Sequence, residues 1–242
     1  MTFMAVIWKD WIVFRNKIVS NTLSAIIGPL LYLLAFGWGI GGRLTVDGMS
    51  YIAFVIPGIA AMNAMSISFG KTAISINIAR LYDKTFEAEM MSPVRPLTFT
   101  IAKITFGALR GMYGAVLILV ASLLFERGLS ITPYFALVMA LNCCVFSAIG
   151  FIAGLAINSH ADVAKVNSFI ITPMSLLCGT LFPLTRFPNP VRVVFEFLPL
   201  SQAVKGLRGG YAAPGSWIPP LALAVWCGVM LVVAVKVCRR AE

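Results

Sequence analysis

Residues 128–159 read GLSITPYFALVMALNCCVFSAIGFIAGLAINS, thirty-two positions without one charged side chain. A helix rises about 1.5 Å per residue, so about 20 predominantly apolar residues cover the hydrocarbon core of a bilayer. This stretch is therefore a membrane span, and the chain on either side repeats the pattern. Ile18 to Gly42 is uncharged, with Pro29 inside it and glycines at 37, 39, 41 and 42. Gly48 to Gly70 opens on Tyr51 and carries Pro57-Gly58, and Leu97 to Phe125 is interrupted by Lys103 and Arg110. Val166 to Thr185 and Gly209 to Val235 complete the set, the latter with Pro219-Pro220 suited to the first turn of a helix. The expectation is an all-α integral membrane protein, one domain over 1–242, with spans at 18–42, 48–79, 97–125, 131–158, 165–185 and 216–238.

Composition agrees. Apolar residues make up 60% of the chain and charged residues 12%, against about 25% charged in soluble domains. The net charge of +10 does not point to nucleic acid, because the basic residues are scattered singly between uncharged runs rather than gathered on one face. Six spans put both termini on one side. With that side cytoplasmic, thirteen of the nineteen basic residues lie inside or at the inner boundary, and six lie outside. The positive-inside bias favours N-in, C-in. Residues 1–17 form an interfacial helix in this scheme: Met4, Ile7, Trp8, Trp11, Phe14 and Ile18 share one stripe, with Lys9, Asn16 and Lys17 opposite. A ragged start to the first span is the plainer alternative.

The nine acids are Asp10, Asp47, Asp83, Glu87, Glu89, Glu126, Asp162, Glu196 and Glu242, and all fall in predicted loops or termini. Proton-coupled transporters use a titrating group inside the membrane, and embedded hydrolases need paired acids or metal ligands in their helices. Neither pattern occurs, so no catalytic or metal-binding residue is assigned. The single histidine, His160, sits in a short loop and reads as solvated. Phe69-Gly70-Lys71-Thr72 ends like a phosphate-binding loop, but Met65 stands where the required first glycine belongs. The chain is not expected to bind ATP, and any motor is a separate polypeptide. Five scattered cysteines without CxxC spacing read as small buried hydrophobes.

Arg80 to Glu89 is the most charged stretch, closed by Met90-Met91-Ser92-Pro93. A short helix here would carry Tyr82, Phe86 and Met90 as an apolar stripe, able to plug a groove in a soluble partner. A solvated connecting loop is the alternative. Residues 186–208 are too apolar for a solvated loop, yet Pro188, Pro190 and Pro199 forbid a full crossing, so short re-entrant or interfacial helices fit. That region is either an outer gate, with Phe182, Pro183, Phe195 and Phe197 as its residues, or a packing lid. The pairs Gly107/Gly111 and Gly150/Gly154 allow close helix approach and read first as internal packing. Lys103 is expected to snorkel to the headgroups, and Arg110 to face protein or water.

Four segments then resemble permeases of the type-2 ABC exporter family, which includes nodulation-factor and drug-resistance exporters. They are Tyr51–Ile59, Glu87–Pro93 ending in Ser92-Pro93, Gly179–Leu184, and Phe197–Gln202 leading to Leu207-Arg208. The resemblance implies a half-transporter of six helices in the bacterial cytoplasmic membrane, paired with a second copy as a homodimer. It also implies two copies of a separate ATPase subunit, which hold the ATP and magnesium. The interfacial helix and a Leu81–Met91 coupling helix would contact that subunit, through Leu81, Tyr82, Lys84, Phe86, Glu87 and Met90. An amphiphile (lipid-linked saccharide, lipid or hydrophobic drug) would move outward past polar residues of spans two and five, namely Asn63, Ser66, Asn167, Ser168, Thr172 and Ser175. Two other classes stay open. An ion-coupled transporter or channel would need a titratable group in a water-filled path, and a membrane-embedded enzyme or assembly factor would need a reactive cluster.

Overall fold

The computed structural model describes residues 2–35, 45–46, 49–91, 95–124, 131–186, 188–209 and 215–240. It is helical, apart from a two-residue antiparallel bridge pairing Thr45 with Ser50 and Val46 with Met49. In chain order the helices are α1 (Thr2–Asn16), α2 (Ile18–Leu34), α3 (Tyr51–Leu81), α4 (Thr85–Met91), α5 (Pro96–Ser122) and α6 (Pro133–Ala156). Then come α7 (His160–Val166), a π-turn (Asn167–Ile171), α8 (Thr172–Leu177), α9 (Asn189–Phe197), α10 (Pro199–Gly209) and α11 (Ile218–Arg240).

Local chemistry starts α3, α5 and α6. Ser50 caps α3 by accepting from the Ala53 N–H at 3.3 Å, and Thr132 does the same for Phe135 at the head of α6. Pro96 and Pro133 occupy first-turn positions, where a missing N–H costs nothing. The long, apolar α3 is the centre of the bundle, and α5 and α6 pack along it. Both glycine pairs serve that contact. A Cβ at Gly111 would lie 1.8 Å from Ser68 Oγ, and one at Gly150 2.5 Å from the Phe69 carbonyl oxygen. The pairs are internal packing, as read from the sequence. The five cysteines are reduced thiols; Cys143, Cys178 and Cys238 are buried, while Cys144 and Cys227 are half-buried.

Among the described residues, four helices are long and apolar enough to cross a membrane: α3, α5, α6 and α11. A fifth candidate is the α1–α2 pair, two helices bent by 73°. The expected span at 165–185 consists of shorter pieces, α7, the π-turn and α8, after which the chain leaves helix at Cys178. Residues 36–42 of the expected first span, the Ser92-Pro93 turn and the loop 125–130 lie outside the described residues. Residues 186–208, expected as short helices, hold α9 and α10, broken at Leu198-Pro199.

The N-terminal stripe differs from expectation. Met4, Trp8 and Trp11 do face away from the protein, but Phe14 turns inward, 8% exposed, beside Asp10 at 7%. Phe14 packs edge-on against Tyr113 and Phe106 of α5. α1 therefore buries a narrow face containing a carboxylate. Asp10 lies in the N-terminal segment outside the expected spans, and its carboxylate is nonetheless buried.

Candidate functional site

The bundle has two built ends. At the first, α3 runs to Leu81, and the N–H groups of Tyr82 and Asp83 both donate to the Ile78 carbonyl. Lys84, at φ +49°, turns the chain into α4. Asn77 and Arg80 donate to the Ile157 and Leu155 carbonyls, capping the end of α6. Tyr82, Lys84 and Glu87 face outward, Leu81 is half-buried and Met91 is exposed. Phe86 is not part of an outward stripe. It is 3% exposed and meets Phe99 edge-on at 5.8 Å between ring centroids, with Phe99 in turn against Phe151. The reason is the turn at Lys84, which resets the helical phase so that Tyr82 and Phe86 leave opposite sides. The Met90 side chain lies outside the described residues.

Two ion pairs join α1 to this end. Lys9 Nζ donates to Glu89 Oε1 at 2.7 Å, tying α1 to α4. Lys103 Nζ contacts both Asp10 oxygens, at 3.0 and 3.1 Å, with side-chain exposures of 5% and 10%. Lys103 therefore does not snorkel: a buried carboxylate holds it inside. Arg110 faces protein, its guanidinium 4.5 Å from the Phe106 centroid and 3.5 Å from the Asp10 carbonyl oxygen.

At the opposite end Arg208 is the organising residue. Its guanidinium donates to the carbonyls of Phe54 at 3.0 Å, Gly179 at 2.6 Å and Thr180 at 2.7 Å, and lies 3.6 Å from the Phe54 ring centroid. The Tyr51 hydroxyl donates to the Leu181 carbonyl at 3.1 Å. Gly58 makes the approach possible, since a Cβ there would sit 2.2 Å from the Thr180 oxygen. Three of the four segments that carry the family resemblance thus meet at one place. Of the expected gate residues nearby, Phe182 is exposed, Pro183 and Phe195 are half-buried, and Phe197 is exposed against Trp226.

The expected pathway residues fall into two sets that share no hydrogen bond among the described residues. Asn63 is buried and donates to the Gly114 carbonyl at 3.1 Å, linking α3 to α5, and Ser66 is half-buried. On the π-turn and α8, Thr172 donates to the Asn167 carbonyl and Ser175 to the Thr172 carbonyl, which is local backbone bonding. Ser168 is exposed there.

Sequence reasoning missed the Asp10–Lys103 pair and the Arg208 fork. Each had a signal. Lys103 sits inside an apolar helix and needs a counter-ion, and Asp10 is the only acid before residue 47. Arg208 follows a loop whose single carboxylate, Glu196, already has Arg192 and Lys205 as partners. Among the described residues its acceptors are backbone carbonyls.

The first 211 residues match the ABC-2 type transporter family. The inner membrane transport permease YadH of Escherichia coli (strain K12) is 26% identical over 195 residues, which is 80% of this chain and 76% of that protein. Nodulation protein J of Rhizobium meliloti (strain 1021) is 26% identical over 211 residues, covering 85% and 79%. Nodulation protein J of Neorhizobium galegae is 24% identical over 247 residues, covering 99% and 94%. The match spans α1, the α3–α4 turn and the Arg208 fork alike, and the chain belongs to the ABC-2 type transporter family.

Proposed function

We propose that this chain is the membrane-spanning permease of an ATP-driven exporter that moves an amphiphile outward across the bacterial inner membrane. One observation carries the reading: α1 and α4 form a joined platform at one end, through Lys9–Glu89, with Phe86 locked into the bundle. Tyr82, Lys84 and Glu87 face away from that platform and offer a partner both charge and an aromatic ring. Family membership and the Escherichia coli relative's name as an inner membrane transport permease support it.

In this reading six spans place both termini in the cytoplasm, α9 and α10 dip into the outer face, and two copies pair. Each copy receives one separate ATPase subunit, which binds ATP and magnesium. Closure of the two ATPases presses on α4. Phe86 passes the push to Phe99 at the start of α5 and Phe151 near the end of α6. The paired permeases rearrange, and a lipid-linked saccharide, lipid or hydrophobic drug passes Asn63, Ser66, Asn167, Ser168, Thr172 and Ser175. Phe182, Pro183, Phe195 and Phe197 close the outer exit.

The test is co-purification with the ATPase, followed by transport in vesicles. Tyr82→Ala with Glu87→Ala weakens association about tenfold, the scale of losing one charge-assisted contact. Phe86→Ala keeps association but separates ATP hydrolysis from transport. Association untouched by the double change removes α4 as the contact. One observation favours a second reading, an ion-coupled transporter: Asp10 is a buried carboxylate. Uphill pumping on an ion gradient by permease free of any ATPase would establish it and end the first.

A further inference from the structure

We propose that the elbow between α1 and α2 is a binding cleft for the phosphate headgroup of an anionic amphiphile. The 73° bend at Lys17 holds open a cleft of ≈ 390 Å³ between α1, α2, α3 and α5. That volume falls in the range of small-molecule sites, about 300–1,000 Å³.

Its charge is unbalanced. Lys9, Lys17, Lys71, Lys103 and Arg110 all line it, against Asp10 and Asp83. Asp10 is taken by Lys103, and Lys9 turns to Glu89. Lys17, Lys71 and Arg110 then share the cleft with one remaining carboxylate. Lys71 feels the positive charge of both Arg110 and Lys17. Its hydrogen bond to a side chain goes to the neutral Asn21 Oδ1, at 3.1 Å. Among the described residues, Arg110 Nε is buried without a hydrogen-bond partner. Like charges gathered in one partly enclosed cleft repel, and a polyvalent oxyanion relieves them. Phosphate suits the set, since it accepts several charge-assisted bonds from Arg and Lys.

Much of the remaining lining is apolar, beside the polar Asn21, Ser24, Ser75 and Thr85. Val13, Ile67, Ile74 and Ile78 line the cleft, and the α3 portion from Ile67 to Ile78 covers about three turns. Along these side chains an acyl chain can lie while its headgroup enters the elbow. The occupant is either a bilayer phospholipid or a phosphate-bearing cargo.

The experiment uses the permease alone in bilayer discs of phosphatidylglycerol and phosphatidylcholine, with retained lipid counted by native mass spectrometry. Wild type retains phosphatidylglycerol preferentially. Lys71→Gln keeps a donor for Asn21 but removes the charge, and lowers retention about tenfold. Lys71→Arg restores it, and Lys205→Gln at the opposite end leaves it unchanged. Equal retention by wild type and Lys71→Gln overturns the proposal, as does displacement of the lipid by inorganic phosphate at equal concentration, which would mark a site for a free anion. Adding the ATPase and ATP separates the two sources. Labelled lipid that leaves for the far leaflet is cargo, lipid that stays is part of the wall, and both support the cleft. Retention is read without nucleotide, so its loss and a failure of the export reading are distinguishable.

Discussion

The end of the bundle that carries α1 and α4 holds a buried cation and the end that carries α9 and α10 a half-buried one, and they neutralise it by different means. At the first, Lys103 meets a carboxylate from another helix. At the second, Arg208 meets backbone carbonyls from α3 and from the turn after α8. A salt bridge joins two side chains, each with several rotatable bonds, so the helices it links can shift while it persists. A guanidinium fork on fixed carbonyls has no such slack, and Gly58 beside it leaves no room for a methyl group. The first end is built for coupled motion of α1 and α4, the second for holding one arrangement. The predictions below test that division.

The largest effect belongs to the buried pair. Asp10→Ala leaves Lys103 charged, 6% exposed and without its counter-ion, which costs about 3–5 kcal/mol of stability. Asp10→Ala with Lys103→Met removes both charges and returns most of that loss, because two desolvation penalties vanish together. Thermal unfolding in detergent measures both. A double variant as unstable as the single one would mean that the pair acts through shape rather than charge.

At the other end, Arg208→Lys keeps the charge but cannot reach three carbonyls with a planar fork, and costs about 2–3 kcal/mol. Gly58→Ala costs about 1–3 kcal/mol by forcing the Thr180 carbonyl away. Gly28→Ala in α2 is its control, since nothing lies within 4 Å of a Cβ there, and the helix gains up to about 1 kcal/mol from alanine. If Gly58→Ala matched Gly28→Ala, the second end would be as pliable as the first.

The long helices were legible because a bilayer imposes length and apolarity on any span, and runs such as 128–159 meet that demand locally. The platform was half legible. Proline and charge marked α4, but its phase depends on Lys84 adopting φ +49°, a conformation to which no neighbouring residue points. Phe86 therefore came out on the wrong face. The Asp10–Lys103 pair spans 93 positions and the Arg208 fork up to 154. Each residue type announced a need for a partner, but the partner was set by tertiary packing. The three convergent segments were recognised as a resemblance, while their meeting point needed the fold.

A smaller effect sharpens the contrast at the first end. Lys9 is half exposed in its bond to Glu89, so Lys9→Met costs only about 0–1 kcal/mol of stability, and less at high salt. Its effect on coupling is larger than its effect on stability, because α1 and α4 then move separately. ATP hydrolysis that continues while transport falls, in vesicles holding the permease and ATPase, is the expected signature. Equal loss of transport and thermal stability would make the bond a plain structural tie.

The smallest effect is a pH dependence at the second end. Arg192 Nε donates to Glu196 Oε1 at 2.8 Å, and Lys205 Nζ lies 3.2 Å from the same oxygen. The bond from Arg192, aided by Lys205 and opposed by partial desolvation, holds the Glu196 carboxyl below its ordinary value. A carboxylate with a depressed folded pKa binds its proton more readily when unfolded, so its contribution is present above the unfolded value, about 4.3. That contribution is lost as pH falls through the folded value. Wild type therefore loses thermal stability relative to Glu196→Gln between pH 5 and pH 3, while the two differ by under about 1 kcal/mol at pH 7 because the pair is partly exposed. Among the described residues the acceptors of the Arg208 fork are backbone carbonyls, which do not titrate, so Arg208→Lys shifts the unfolding midpoint by the same amount at both pH values. A pH-dependent Arg208→Lys effect would mean that Glu196 and Arg208 act as one network, and the rigid end would then owe part of its stiffness to an exposed carboxylate.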